Sequence, residues 1–261
     1  MNLDLRNKNA LVCGSSKGIG KAAAIEIARL GANVTLVSRS AETMAAIIHE
    51  LDDSQGQHHD FLVADFSNPT DLKRKVHGLV GAKSIHILVN NTGGPPAGPI
   101  LSAEETAFMD AFSQHLICNH LLVQAIVPGM KREGYGRIIN VISTSVKAPL
   151  DNLGVSNTVR AAVGNWAKTL ANELGPAGIT VNNVLPGFTE TERLHEIINN
   201  KAAKSDMSQE EVIAGMKEEV PLRRFADPVE LGAAIAFLAS PAAAYINGVA
   251  LPVDGGRLKN M

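Results

Sequence analysis

Near the start of the chain an apolar run, Ala10-Leu11-Val12-Cys13, breaks into Gly14-Ser15-Ser16-Lys17-Gly18-Ile19-Gly20. That spacing suits the capture of a phosphate. Glycine reaches backbone angles closed to other residues and carries no Cβ, so a chain turning at Gly14, Gly18 and Gly20 can aim several N–H groups at one anion. Ser16, Lys17 and Ile19 lie inside the turn, and Lys17 adds a positive charge. Lys21 to Leu30 is rich in helix formers and stops at Gly31, so the positive end of that helix points back at the turn. Strand, glycine turn and helix in this order outline a dinucleotide site, although Gly-x-x-x-Gly-x-Gly is not the commoner Gly-x-Gly-x-x-Gly. A tight strand-to-helix turn with no ligand is the plainer reading of the same residues.

The next run of strand length, Asn33 to Val37, leads into Ser38 and Arg39. Sites for NAD often place an acid here to hold the ribose hydroxyls; this chain offers a cation instead. Arg39 and Lys17 together favour a 2′-phosphate on the adenosine ribose, since an arginine fork can pair with it and a lysine adds a compact charge. NADP(H) is therefore expected over NAD(H).

These residues need a scaffold, and the pattern along the chain supplies one. Apolar runs of strand length recur at 9–13, 33–37, 60–64, 85–89, 137–142, 179–184 and 248–253, separated by helical patterns. Such alternation implies right-handed βαβ units, and hence an α/β fold: a single Rossmann-type domain with a doubly wound parallel sheet of about seven strands flanked by helices. Helix starts are marked at Asn68 before Pro69, and at Asp227 before Pro228 with Glu230 following. With 261 residues, one large domain accommodates everything. The polar stretch 189–221 follows the sixth strand, where an insertion is placed to cover a site as a substrate lid.

Composition excludes several classes. With 24 basic against 26 acidic residues and a net charge of −2, nothing favours nucleic acid or an anionic membrane as partner. Met1 to Lys8 lacks an apolar leader core, and no stretch is long enough to span a bilayer, so a cytoplasmic protein is expected. Cys13 and Cys118 are the two cysteines, and His58 and His59 stand together without a third ligand at metal spacing. The reading is no disulfide framework, no metal, and a solvated histidine pair.

Taken in order, the motifs resemble the short-chain dehydrogenase/reductase family, and within it the β-ketoacyl-carrier-protein reductase-like group. The resemblance rests on the turn Gly14 to Gly20, Asp65 after the third strand, and Asn90-Asn91-Thr92-Gly93 where the family has Asn-Asn-Ala-Gly. It continues through Gly136-Arg137-Ile138-Ile139 leading to Ser143, Pro186-Gly187 followed by Thr191, and Asp254-Gly255-Gly256. It implies that Asp65 lies near the adenine, that Asn91 and Gly93 support the cofactor site, and that Pro186, Gly187 and Thr191 face the nicotinamide. It also implies a homodimer or homotetramer built on segments 103–131 and 154–174, with Met109, Phe112, Leu116, Leu121, Leu122 and Trp166 as apolar surface.

The catalytic group departs from the family's Asn, Ser, Tyr and Lys. At the family's spacing beyond Ser143 the chain reads Ser156-Asn157-Thr158-Val159-Arg160, and counting back from Pro128 and Met130 puts His115 at the place of the Asn. Serine is no acid near neutral pH, whereas the family's tyrosine, with a pKa of about 10 in water, is tuned down to donate a proton. Arg160 can stabilise a developing alkoxide but does not readily relay a proton. The resemblance thus implies an NADP(H)-dependent reductase of a carbonyl such as a ketone or β-ketoacyl compound. Ser143, Ser156 and Arg160 would form its working group, with the proton arriving from His115 or water. The alternative is an NADP(H)-binding protein with little or no reductase activity, structural or regulatory in role.

Overall fold

Seven parallel strands form one sheet in a computed structural model that describes residues 1–205 and 207–259. They are β1 (Asn9–Cys13), β2 (Asn33–Ser38), β3 (Asp60–Val63), β4 (Ile87–Asn90), β5 (Gly136–Val141), β6 (Ile179–Pro186) and β7 (Ala250–Val253). Their spatial order, β3-β2-β1-β4-β5-β6-β7, is the doubly wound arrangement expected, with the winding reversing between β1 and β4. β1 begins and ends where the apolar run does; β4 and β7 start two residues late, β7 because Gly248 is turned to φ +72°.

Every residue of β4 and β5 is buried, which requires helices on both faces. Alternate residues of β1 divide between two cores. Ala10 and Val12 join Ala23, Ala24 and Ile27 of α1 (Gly18–Arg29), Met44 and Ile47 of α2 (Ala41–Ile48), and Leu231 and Ile235 of α9 (Pro228–Ala239). Leu11 and Cys13 join Leu72 and Val76 of α3 (Pro69–Ala82), Leu122 and Ile126 of α5 (Cys118–Glu133), and Ala167 and Ala171 of α6 (Gly154–Leu174). The capping signals act as expected. Asn68 accepts the Asp71 N–H at 3.1 Å, and Asp227 and Glu230 cap α9 reciprocally.

The same face that carries α5 and α6 holds a run of amides across the sheet. Asn90 Nδ2 donates to Asn140 Oδ1 at 2.8 Å, and Asn140 Nδ2 to Asn183 Oδ1 at 3.0 Å, joining β4, β5 and β6 at matching register.

Three sequence readings change. Leu122 is a core residue, 1% exposed, and Phe112, Leu116 and Trp166 pack against internal clusters, so of the six apolar surface residues expected Met109 remains openly exposed at 71%. A helix packed on a sheet spends much of its apolar stripe on the core, which composition alone does not reveal. His59 is not solvated: its Nδ1 accepts the Val34 N–H at 3.1 Å and its Nε2 meets Asp52 O at 3.0 Å. The helix after the glycine turn begins at Gly18 instead of Lys21.

Cys13 and Cys118 are buried and unpaired by disulfide. Burial raises both thiols, Cys118 to about 11, so neither ionises at neutral pH. Among the described residues no group of histidine, cysteine, aspartate or glutamate could hold a metal, and no helix is long and apolar enough to cross a membrane.

Residues 189–221 fold as two helices, α7 (Glu192–Ala203) and α8 (Gln209–Glu218). They enclose a small core of their own, Leu194, Ile198, Val212 and Met216 with Phe225. Asp206, within that span, lies outside the described residues.

Candidate active site

The sheet order places the sequence-predicted residues along one edge, the carboxyl ends of six adjacent strands. Asp65 follows β3, Arg39 follows β2, the glycine turn follows β1, Asn91 and Gly93 follow β4, Ser143 follows β5, and Gly187 to Thr191 follow Pro186 at the end of β6. In an open α/β sheet this is where ligands bind.

The glycine turn is held by Asn91, whose Nδ2 donates to Gly14 O at 3.2 Å and Cys13 O at 3.4 Å. Gly14 and Gly18 have φ of +59° and +55°. A Cβ on Gly20 would lie 2.2 Å from Gly14 O, so the turn closes only because position 20 has none. α1 then starts with Lys17 extended, no side-chain cap and no acid in its first turn, leaving its leading N–H groups to the turn's concave side. Ser15, which the sequence reading passed over, is fully buried and accepts the Val37 N–H through Oγ at 2.9 Å, tying the turn to β2.

The two cations expected together have different partners. Arg39 is exposed beside Asp65, whose carboxyl is held below its usual range by the Ser67 N–H and, to a smaller extent, by Arg39. Lys17 instead pairs with Glu192 at the start of α7. Thr191 caps α7 and would meet a Cβ on Gly18 at 3.1 Å, and Arg193 Nη2 donates to Pro95 O at 3.1 Å. The α7 end of the 189–221 segment is therefore fixed to both the glycine turn and the loop after β4. No local signal reveals these ties, because Lys17–Glu192 and Arg193–Pro95 join residues 175 and 98 apart.

On the other side, Ser143 starts a short 3₁₀ turn, its Oγ accepting the Ser145 N–H at 3.0 Å. Arg160, on α6 and 9% exposed, donates through Nη1 to Val141 O at 3.1 Å, two residues before Ser143. Ser156 lies one turn earlier on α6, half-buried. The entrance to α6 is shaped by the proline-rich loop after β4, Gly93-Gly94-Pro95-Pro96-Ala97-Gly98-Pro99: Gly98 N–H donates to Asn152 O at 2.7 Å and Gly154 N–H to Gly98 O at 3.1 Å. Burial draws the Arg160 pKa down, with a smaller contribution from Arg193, to about 10, so the guanidinium stays charged at neutral pH.

His115 occupies a π turn, Ser113–Ile117, between α4 (Glu105–Phe112) and α5. Such turns recur at functional sites. It is 2% exposed and its Nδ1 lies 2.6 Å from Thr92 Oγ1, a partner the sequence reading did not assign. Burial, and then the Arg160 charge, lower its pKa to about 3. The imidazolium needed for proton donation is thus unpopulated at neutral pH, which corrects the expectation of His115 as an acid and makes it a hydrogen-bonding partner of Thr92. Tyr135 offers no substitute, since its hydroxyl donates to Ala239 O at 2.7 Å before β5 begins, at the opposite end of the sheet.

The buried neutral histidine has a measurable consequence. An unfolded chain binds a proton at His115 below about pH 6.5 and the native chain does so only below about 3, so stability falls as pH drops through that window, by at most about 1.4 kcal/mol per pH unit. Urea denaturation at pH 7 and pH 5 should show His115→Asn losing less stability than the parent between the two. Equal losses would remove His115 as a source of acid sensitivity.

Comparison with known proteins adds a family. The model described as enoyl-(acyl carrier protein) reductase matches residues 14–257. The 3-oxoacyl-[acyl-carrier-protein] reductase of Vibrio cholerae is 34% identical over 257 residues, covering 97% of this chain and 98% of the relative. The NADPH-dependent reductase BacG of Bacillus subtilis is 27% identical over 264 residues, covering 98% and 100%. The structure of L-sorbose reductase from Gluconobacter frateurii, complexed with NADPH and L-sorbose, superposes over the whole of both chains with a TM-score of 0.93 at 30% identity. With the family's motifs strung along one sheet edge and its likeness running almost end to end, the chain belongs to the short-chain dehydrogenase/reductase family.

Proposed function

We propose that the protein is an NADP(H)-dependent oxidoreductase that reduces a carbonyl compound by hydride transfer, with an altered catalytic group. The observation that carries this reading is the convergence at the carboxyl ends of adjacent strands of the glycine turn and a buried, charged Arg160 held by Val141 O, two residues before Ser143. The site residues fit the cofactor. The uncapped start of α1 leaves N–H groups for phosphates, and Arg39 is exposed with no carboxylate in a salt bridge among the described residues, ready for a 2′-phosphate. Relatives that bind or use NADPH support the same choice. When bound, the reduced nicotinamide supplies the hydride.

In this reading Ser143 donates a hydrogen bond to the carbonyl oxygen and Arg160 stabilises the negative charge that develops there. Ser156 extends the hydrogen-bond network, and water brings the proton, because neither serine nor arginine is an acid of the needed strength and His115 is neutral. Gly14, Ser16, Gly18, Ile19, Gly20, Asn91, Gly93, Pro186, Gly187 and Thr191 form the cofactor's cradle, with Asp65 toward its adenine. The α7–α8 hairpin is the substrate lid, and two or four copies associate through the α4–α6 face where Met109 and Ile117 are exposed. Light scattering at micromolar concentration should report a dimer or tetramer.

A second reading, a cofactor-binding protein with little turnover, is favoured by Ser156 and Arg160 standing where the family has its proton donor and lysine. Single-turnover oxidation of NADPH, measured across ketones, quinones and β-ketoacyl thioesters, separates the two. If none of these oxidises it, the reductase reading fails. The cofactor choice has its own check: NADPH should bind more tightly than NADH, and Arg39→Asp should abolish or invert the preference in fluorescence titrations. Equal affinities in the parent would overturn it.

A further inference from the structure

Among the described residues two arginines are deeply buried, and they are satisfied differently. Arg137, 4% exposed, stacks on Tyr135 at 4.3 Å and donates to Gly136 O at 2.9 Å, Gly178 O at 3.4 Å and Ser240 O at 3.5 Å. Arg160 has one acceptor, Val141 O, and among the described residues no ring stacks on it and no carboxylate pairs with it. Its other donors have no protein partner there. Nη2 faces the loop after β4, lying 3.9 Å from where a Cβ on Gly94 would be.

A second guanidinium stands on that loop, since Arg193 donates to Pro95 O and has its one acid, Glu196, on its own helix at 3.1 Å. Burial lowers the Arg160 pKa, and the like charge of Arg193 lowers it further. A buried cation costs stability unless it is paired, so the missing counter-charge is expected from a ligand. The cofactor's phosphates do not fit that role. The glycine turn follows β1 and Val141 ends β5, with β4 between them, about 10 Å across two strand spacings. The substrate is the remaining source.

We infer that Arg160 holds a carboxylate adjacent to the carbonyl being reduced, so that the substrate is a 2-oxo acid. Planar carboxylate and carbonyl oxygens on one edge match the planar fork of a guanidinium, which a point charge such as lysine does not offer. The inference rests on the reductase reading above. In the reaction the carbonyl carbon gains a C–H bond from the hydride, the π pair moves to oxygen, and that oxygen takes a proton from water. NADPH becomes NADP⁺, the product is a 2-hydroxy acid, and the carboxylate is unchanged.

The test compares phenylpyruvate and 2-oxobutanoate with their neutral counterparts phenylacetone and butanone, and with dihydroxyacetone phosphate. The acids should be reduced with kcat/KM about 10²-fold higher or more, and Arg160→Gln should collapse that ratio toward one. Calorimetry of oxamate, an unreactive 2-oxo acid isostere, against the enzyme with NADP⁺ should show binding that acetamide lacks and Arg160→Gln loses. Neutral ketones reduced as well as the acids, with no oxamate binding, would overturn the inference while leaving the reductase reading intact. Preference for the phosphate ester would overturn the choice of carboxylate. Oxamate binding without turnover of any compound would sink the reductase reading and with it the reduction of a 2-oxo acid, leaving Arg160 as a carboxylate-binding residue only, and should Arg160→Gln not fold, the substrate pairs and oxamate still decide.

Discussion

Replacing Arg160 by alanine is expected to lower the single-turnover rate of NADPH oxidation by about 10²-fold or more while leaving NADPH affinity nearly unchanged. The expectation follows from where the charge sits. The Arg160 side chain is nine-tenths buried, keeps its charge at neutral pH, and is held by Val141 O, two residues before Ser143. A preorganised charge in such a place acts most strongly on the oxygen that becomes an alkoxide, and little on a ground-state ligand phosphate two strands away. If affinity falls first, Arg160 anchors the nicotinamide ribose instead. If neither changes, its catalytic role is refuted. The companion change, Ser156→Tyr with Arg160→Lys, restores the acid typical of the family. A large gain in ketone reduction would mean that the natural site is impaired; a loss would mean that Ser156 and Arg160 serve a different working mechanism.

Gly20→Ala should have a comparably large effect on the opposite quantity. Its Cβ would lie 2.2 Å from the backbone Gly14 O, a contact that cannot be relieved without moving the turn, and 2.7 Å from Asn91 Nδ2, the side-chain amide that holds it. Displacing N–H groups by even a fraction of an ångström from a phosphate costs orientation, and NADPH affinity should fall by about 10²-fold. Gly81→Ala in α3 is the control, since nothing lies within 4 Å of its added methyl and a helix gains from losing a glycine. Titration of both variants by NADPH fluorescence checks the pair. Unchanged affinity in Gly20→Ala would show that the turn does not hold the cofactor's phosphates.

Much of the scaffold was legible because parallel strands buried on both faces leave continuous apolar runs, as Ala10 to Cys13 and Ile87 to Val89 do. The glycine turn was legible for a related reason, since its geometry is encoded in three residues that no others can replace. What stayed hidden depends on neighbours distant in sequence. The neutrality of His115 comes from burial and from Arg160, the pairing of Lys17 from Glu192 across 175 residues, and the loss of Leu122 from the surface from its docking on the sheet. Local pattern says which face of a helix is apolar, but not whether the sheet has already taken it.

The line of three amides across β4, β5 and β6 bears on how the chain assembles. Asn140, in the middle, both accepts from Asn90 and donates to Asn183, so turning it over would set NH₂ against NH₂ on one side and oxygen against oxygen on the other. A strand that annealed one residue out of step would swing Asn140 to the opposite face and strand its neighbours' polar groups in hydrocarbon. Hydrophobic runs such as Ile138-Ile139 tolerate sliding; these amides do not. The register they favour pairs Asn90 with Asn140 and so sets Asn91 level with Val141, the residue whose carbonyl holds Arg160.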